Sequence, residues 1–253
     1  MTRFSRKIPI LLVSVSVAAG FLWYFHLRWV LQDPAKIMLN PDTDRIIAEL
    51  LESSRAAEYE ERQAICYEIR AMGRESLPVL VRALEDEDPG IRALAASLLQ
   101  FSNNVHVISY LEAGLSDEDP AVIRTALFSL GQLGAVETVP TIIVVLSEGD
   151  KFTRCQAALV LGILKDENAL EPLIARLEND PYPIARKVAA DSLGEIGCEQ
   201  AVPPLIDSLE DKNARVRLAS LRALNRITKA GLGPEKESWM NWFEGEHRRS
   251  AAE

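Results

Sequence analysis

His26, His106 and His247 are the three histidines of this 253-residue chain, and a metal centre or a nucleophile–base–acid triad would be expected to draw on one of them. Metal-binding histidines recur at short helical spacings, as in HExxH, because residues i and i+4 share a helix face. These three lie 80 and 141 positions apart, and no HExxH, GxSxG or glycine-rich phosphate loop accompanies them. Cys66, Cys155 and Cys198 are odd in number and lack CxxC spacing, so they read as small buried hydrophobes and not as a disulfide framework. Carboxylates are abundant, but they fall at a fixed interval, which is the signature of repeated turns. The residue types assign no catalytic group, no metal ligand and no cofactor site.

That interval leads to the architecture. Residues 85–99 read EDEDPGIRALAASLL and residues 116–130 read SDEDPAVIRTALFSL, 31 positions apart. The same register extends further: Leu84, Leu115, Leu146, Leu177 and Leu209 recur, as do Arg92, Ile123, Arg154, Arg186 and Arg217. Six positions before each of the latter stands an acid, Asp86, Asp117, Glu148, Asp180 or Asp211. Fourteen before them come Pro78, Ser109, Pro140, Pro172 and Pro203. Each period accommodates a short first helix, an acidic turn and a longer second helix. Asp88, Asp119, Asp150 and Asn213 are suited to cap the free N–H groups at second-helix starts. Gly131, Gly134, Gly162, Gly194 and Gly197 serve as helix stops and close-approach points. A two-helix unit of this size cannot bury its own apolar face, so successive units must stack.

The Pro, acid, Arg register, followed by helices such as RKVAADSLG at 186–194, resembles the HEAT-repeat family. It is similar more narrowly to the short bacterial HEAT-like repeats typified by phycobilisome bilin lyases. The resemblance covers residues 74–228. Residues 43–73 read as a degenerate first unit, and the third unit departs from the pattern at Ser109 and Ile123. The expected fold is therefore all-α: about six stacked helix pairs forming an α-solenoid over 43–230. A C-terminal helix and tail follow at 231–253, where Trp239, Trp242 and Phe243 share one face and cap the last repeat. Deoxyhypusine hydroxylase, an iron enzyme built on this type of fold, uses paired His-Glu motifs. The present chain has no His-Glu dipeptide.

The acids and arginines Asp86, Arg92, Asp117, Glu148, Arg154, Asp180, Arg186, Asp211 and Arg217 read as a structural ladder, with carboxylates bonded to turn N–H groups and to an arginine of the same or the next unit. Five positions after each register residue, a side chain is expected to face outward. Tyr67, Phe128 and Leu159 occupy that position where polar residues would be expected, so they mark the expected binding surface for a protein partner.

Residues 1–31 differ in character. Ile8 to Phe25 is an 18-residue run without charge, preceded by Arg3, Arg6 and Lys7, with Trp23, Tyr24 and Trp29 clustered at its far end. This pattern predicts a retained single-pass signal anchor with a cytoplasmic N-terminus, a linker at 32–42, and an extracytoplasmic domain. Cleavage near Ala19 and secretion is the alternative. Residues 1–31 carry four basic and no acidic residues, so the remainder holds 24 against 37 and a net charge of −13. Nucleic acid is a poor partner for so acidic a body. The expected function is a membrane-tethered, non-catalytic scaffold that holds another protein. The alternatives are a bilin-lyase-like enzyme, which the resemblance implies, and an accessory subunit or assembly factor of a membrane complex.

Overall fold

The computed structural model describes residues 41–102 and 104–250. Among them are thirteen α-helices, linked in part by short 3-10 turns, and no strand. The run at 8–25, and with it the expected anchor, lies outside the described residues. Among those described, no helix is long and apolar enough to cross a membrane.

The chain divides into two compact units, each with its own core. In the smaller, α1 (Pro41–Ser54) and α2 (Tyr59–Ala71) form a helix pair followed by most of α3 (Leu77–Ala83). Ile47, Leu51, Ile65, Ile69, Leu77 and Leu80 are buried there. Arg82 reaches Asp44 at 2.5 Å, and the Thr43 hydroxyl donates to Glu75 at 3.1 Å.

The larger unit holds the clear repeats. Its second helices are α4 (Pro89–Leu99), α6 (Pro120–Leu133), α8 (Lys151–Leu164), α10 (Pro183–Ile196) and α12 (Ala214–Thr228). The first helices between them are α5 (Val107–Ala113), α7 (Val139–Glu148), α9 (Leu170–Asn179) and α11 (Val202–Asp207). Asp88, Asp119, Asp150 and Asn213 each accept a hydrogen bond from a backbone N–H two residues on, at 2.7–2.9 Å. Prolines at the first position of α4, α6 and α10 give up an N–H that has no partner there in any case. The recurring leucines Leu115, Leu146, Leu177 and Leu209 are buried at each turn.

Two kinds of glycine separate in the structure. Gly134 and Gly197 end α6 and α10 in the left-handed region, at φ 66° and 79°, where a side chain would be strained. Gly131, Gly162 and Gly194 instead lie inside second helices at points of close approach. A Cβ on Gly162 would sit 2.7 Å from that of Ser192, and one on Gly194 would sit 2.8 Å from that of Ala223. Missing side chains thus let successive second helices pack flank to flank, much more closely than the first helices do.

Beyond α12, α13 (Lys236–Ser250) returns against α11. Trp239 is fully buried, donates its indole N–H to the Gly233 carbonyl at 2.8 Å, and meets Trp242 edge to face with centroids 6.0 Å apart. Lys236 pairs with Asp207 and Glu210 at 3.0 and 2.9 Å. Trp242 and Phe243 are half-buried.

Candidate functional site

The charged register resolves into one geometry used three times. Arg92 grips Asp117 with Nε at 2.7 Å and Nη2 at 2.8 Å, while its Nη1 donates to the Asp86 and Glu87 carbonyls. Arg154 holds Asp180 at 2.9 and 3.3 Å, and Arg186 holds Asp211 at 2.8 and 3.0 Å. The arginine binds carbonyls of its own turn and the carboxylate of the next repeat, a two-point contact that fixes orientation. Each aspartate also accepts the N–H two residues on, from Asp119, Tyr182 or Asn213. These contacts are sheltered: Arg92 is 7% and Asp180 2% exposed.

Hydrogen bonding from Arg92 holds the Asp117 carboxyl below the ordinary value of 3.8, and Arg186 does the same for Asp211. For Asp180 burial works against ionisation, yet the Arg154 contact and the Tyr182 N–H together bring it below that value. No reacting atom is positioned at these sites. Their charges are used up in joining one repeat to the next.

The series breaks once. Ile123 stands where an arginine is expected, and the matching Glu148 is exposed, with no arginine paired to it among the described residues. Asp86, at the start of the series, accepts the Asp88 N–H at 2.9 Å; Arg217, at its end, donates to the Asp211 carbonyl at 2.8 Å.

Phe128 on α6 and Leu159 on α8 are 44% and 46% exposed, and Ile163, one turn beyond Leu159, is 44% exposed. Tyr67, in the smaller unit, is 70% exposed, with Arg70 stacked over its ring at 5.7 Å. The equivalent positions on α10 and α12 are Asp191 and Arg222, which pair at 3.1 Å, with Lys187 on Asp191 at 2.7 Å. Glu195 pairs with Lys165 at 3.5 Å and with Arg226. This face of the second helices therefore exposes Phe128 on α6, between Arg124 and Gln132, and Leu159 and Ile163 on α8, while on α10 and α12 ion pairs predominate beside exposed Leu218. Ile163 escaped the sequence reading, although it lies nine positions after Arg154, on the face already indicated by Leu159.

Cys66 and Cys155 are half-buried, and burial pushes both thiols up, so neither is set up as a thiolate nucleophile. Among the described residues no group of three or more His, Cys, Asp or Glu side chains is placed to hold a metal ion. His106 lies in the smaller unit, at the turn before α5.

The profile of the HEAT repeats family matches residues 108–193 and 170–236, more than half of the chain. The chain belongs to the HEAT-repeat family. Within it, the repeats are of the bilin-lyase type. The bilin biosynthesis protein PecE of Nostoc sp. is 30% identical over 138 residues, 52% of this chain and 54% of that protein. The phycocyanobilin lyase subunit alpha of Picosynechococcus sp. is 32% identical over 116 residues, 42% of this chain and 43% of that one. The chain thus spans about half the length of these curated relatives. A solved structure, the complex of CpcE and CpcF of phycocyanin lyase from Nostoc sp., matches with a TM-score of 0.53 and 28% identity, covering 60% of this chain and 64% of that chain.

These relatives correct two expectations. A non-catalytic scaffold was inferred because no compact catalytic motif is present; lyase subunits share this repeat architecture, so the lack of a motif does not separate scaffold from enzyme. The single-pass membrane localisation and membrane tether were inferred from the uncharged run at 8–25. The relatives are named a bilin biosynthesis protein and a phycocyanobilin lyase subunit, and no described helix is long and apolar enough to span a bilayer.

Proposed function

We propose that this chain is a subunit of a bilin lyase, taking part with a protein partner in the attachment of a linear tetrapyrrole to a phycocyanin-type protein. The observation that carries this reading is the similarity to PecE and to phycocyanobilin lyase subunits. The physical character of the α6–α8 face agrees with it. A bilin is a conjugated, largely apolar chain of rings with carboxylate arms. Phe128, Leu159 and Ile163 offer an apolar bed for such rings beside the ion pairs of α10 and α12.

That bed is open. A chromophore lying on it is shielded from water on one side only, so shelter during reaction requires a second protein to close over it. This supports a heteromeric enzyme, the form in which the relatives CpcE and CpcF were solved. On this reading Phe128 and Leu159 belong to the contact surface for chromophore and partner, and the arginine–aspartate grips hold the repeats on either side of it. Exposed Tyr67 is a second contact, carried by the smaller unit.

The test is reconstitution. The full chain is mixed with phycocyanobilin and apo-phycocyanin, with and without the CpcF subunit of the Nostoc enzyme, and covalent bilin is read by zinc-enhanced fluorescence on a denaturing gel. In parallel, the absorption band of the bilin is followed on addition of the chain alone. The proposal expects a shifted band with the chain alone and covalent colour when all components are present. An unshifted band together with no covalent product contradicts it.

A further inference from the structure

Four joints connect adjacent second helices in the larger unit, and two kinds of buried link recur across them. One is the arginine–aspartate grip: Arg92 to Asp117 between α4 and α6, Arg154 to Asp180 between α8 and α10, and Arg186 to Asp211 between α10 and α12. The other is a serine hydroxyl donated to a carbonyl of the preceding second helix: Ser129 to Ala96 at 2.9 Å, and Ser192 to Ala158 at 2.8 Å, both fully enclosed. The joint between α6 and α8 has neither. Ile123 replaces the arginine, Glu148 is exposed, and Val160 occupies the serine position.

The contacts that do cross this joint are weaker in kind. Arg124 approaches Asp150 at 3.6 Å with both side chains more than a third exposed, and Thr141 donates to Glu112 at 2.5 Å in the first-helix layer. The Arg124–Asp150 pair is screened by water and salt, and the Thr141–Glu112 bond, though part-buried, ties only the first-helix layer. The glycine contact is looser as well. A Cβ on Gly131 would meet only the Val160 methyl groups, at 3.2 and 3.3 Å, whereas at Gly162 and Gly194 backbone atoms lie within 2.9 Å.

We propose that the α6–α8 joint is a bending point built into the array, flanked by stiffer joints on both sides. Its place gives it a role. Phe128 is carried by α6 and Leu159 by α8, so bending here changes the separation of the two exposed apolar side chains while the ion-paired face of α10 and α12 stays fixed. The surface adapts its shape to what it holds. The inference rests on the geometry of the joints and stands independently of the lyase reading.

Pulsed electron-spin distance measurement tests it on the full chain, with Cys66, Cys155 and Cys198 replaced by alanine. Spin labels at Ala113→Cys and Val144→Cys, both exposed, span the α6–α8 joint in the first-helix layer, and labels at Val144→Cys and Ala175→Cys span the next. The first pair is expected to give a distance distribution at least twice as wide as the second. Restoring the missing link with Ile123→Arg and Glu148→Asp should narrow the first distribution toward the second. Equal widths in the otherwise unchanged chain overturn the proposal, and this comparison does not depend on the restored variant folding. A wide distribution that the folded, restored variant leaves unchanged overturns the assigned cause.

Discussion

The α6–α8 and α8–α10 joints are built on the same 31- or 32-residue period, from the same small-residue helix faces, yet they differ in what crosses them. At α8–α10, Arg154 is locked into Asp180, the Ser192 hydroxyl reaches the Ala158 carbonyl, and Gly162 lies against Ser192 backbone. At α6–α8, isoleucine, an exposed glutamate and valine stand in the corresponding places. The lesson is a division of labour within one repeat. Leucines and alanines make the stack, while three register positions set how stiff each joint is. An apolar face can then be presented over a compliant joint beside a charged face over rigid ones.

The largest separation of the two joints is expected from their arginines. Arg154→Ala removes the two-point grip on buried Asp180, leaving it Arg176 at 3.7 Å and the Tyr182 N–H at 2.9 Å, and should cost about 3 kcal/mol. Arg124→Ala removes only an exposed contact and should cost less than about 1 kcal/mol. Urea unfolding of both variants measures the difference, and equal losses would erase the distinction. The next effect is steric. Gly162→Ala forces α8 and α10 apart against backbone and should cost about 2 kcal/mol, whereas Gly131→Ala meets yielding methyl groups and should cost well under 1 kcal/mol. Thermal melts decide this. A smaller change, about 1 kcal/mol, is expected for Ser192→Ala, which removes one buried hydrogen bond.

Acid sharpens the contrast more gradually. Asp117, Asp180 and Asp211 all titrate below the ordinary carboxylate value of 3.8 in the folded chain. Their contribution is present above that value and is lost as pH falls through the lower folded-state values. Asp150 is also held low, first by the Thr153 N–H, but it mainly caps the start of α8 and crosses the α6–α8 joint only through its exposed 3.6 Å contact with Arg124. Amide exchange compared at pH 6 and pH 3 should therefore show the α4–α6, α8–α10 and α10–α12 joints losing protection, with a smaller change at α6–α8. A uniform loss across all joints would argue against the pairs as the source of stiffness.

Much of this was legible in the sequence, because a period fixes both the fold and which residues face one another. The leucine register, the turn caps and the acid–arginine spacing all follow from it. What the spacing left open was whether an arginine pairs within its own repeat or with the next. The answer is both: carbonyls of its own turn and the carboxylate 25 or 26 residues on. The glycines could not be sorted by pattern alone, since Gly131 and Gly134 differ only in the backbone angle and the neighbour that each meets. The links from Ser129 and Ser192 were hidden because a serine inside a helix ordinarily bonds its own backbone. Function was the least legible part. An open repeat surface carries no compact motif, and the uncharged run at 8–25 directed the reading toward a membrane, which the relatives do not support.

The claim that the α6–α8 face is the working surface is tested most directly by titrating phycocyanobilin into the full chain and into the double variant Phe128→Asp, Leu159→Asp, with Asp191→Ala as a control on the ion-paired face. Both substituted side chains are exposed, so the double variant should keep its helical circular dichroism. The account predicts at least a tenfold weaker chromophore affinity for the double variant and little change for the control. Unchanged affinity in a folded double variant would contradict it.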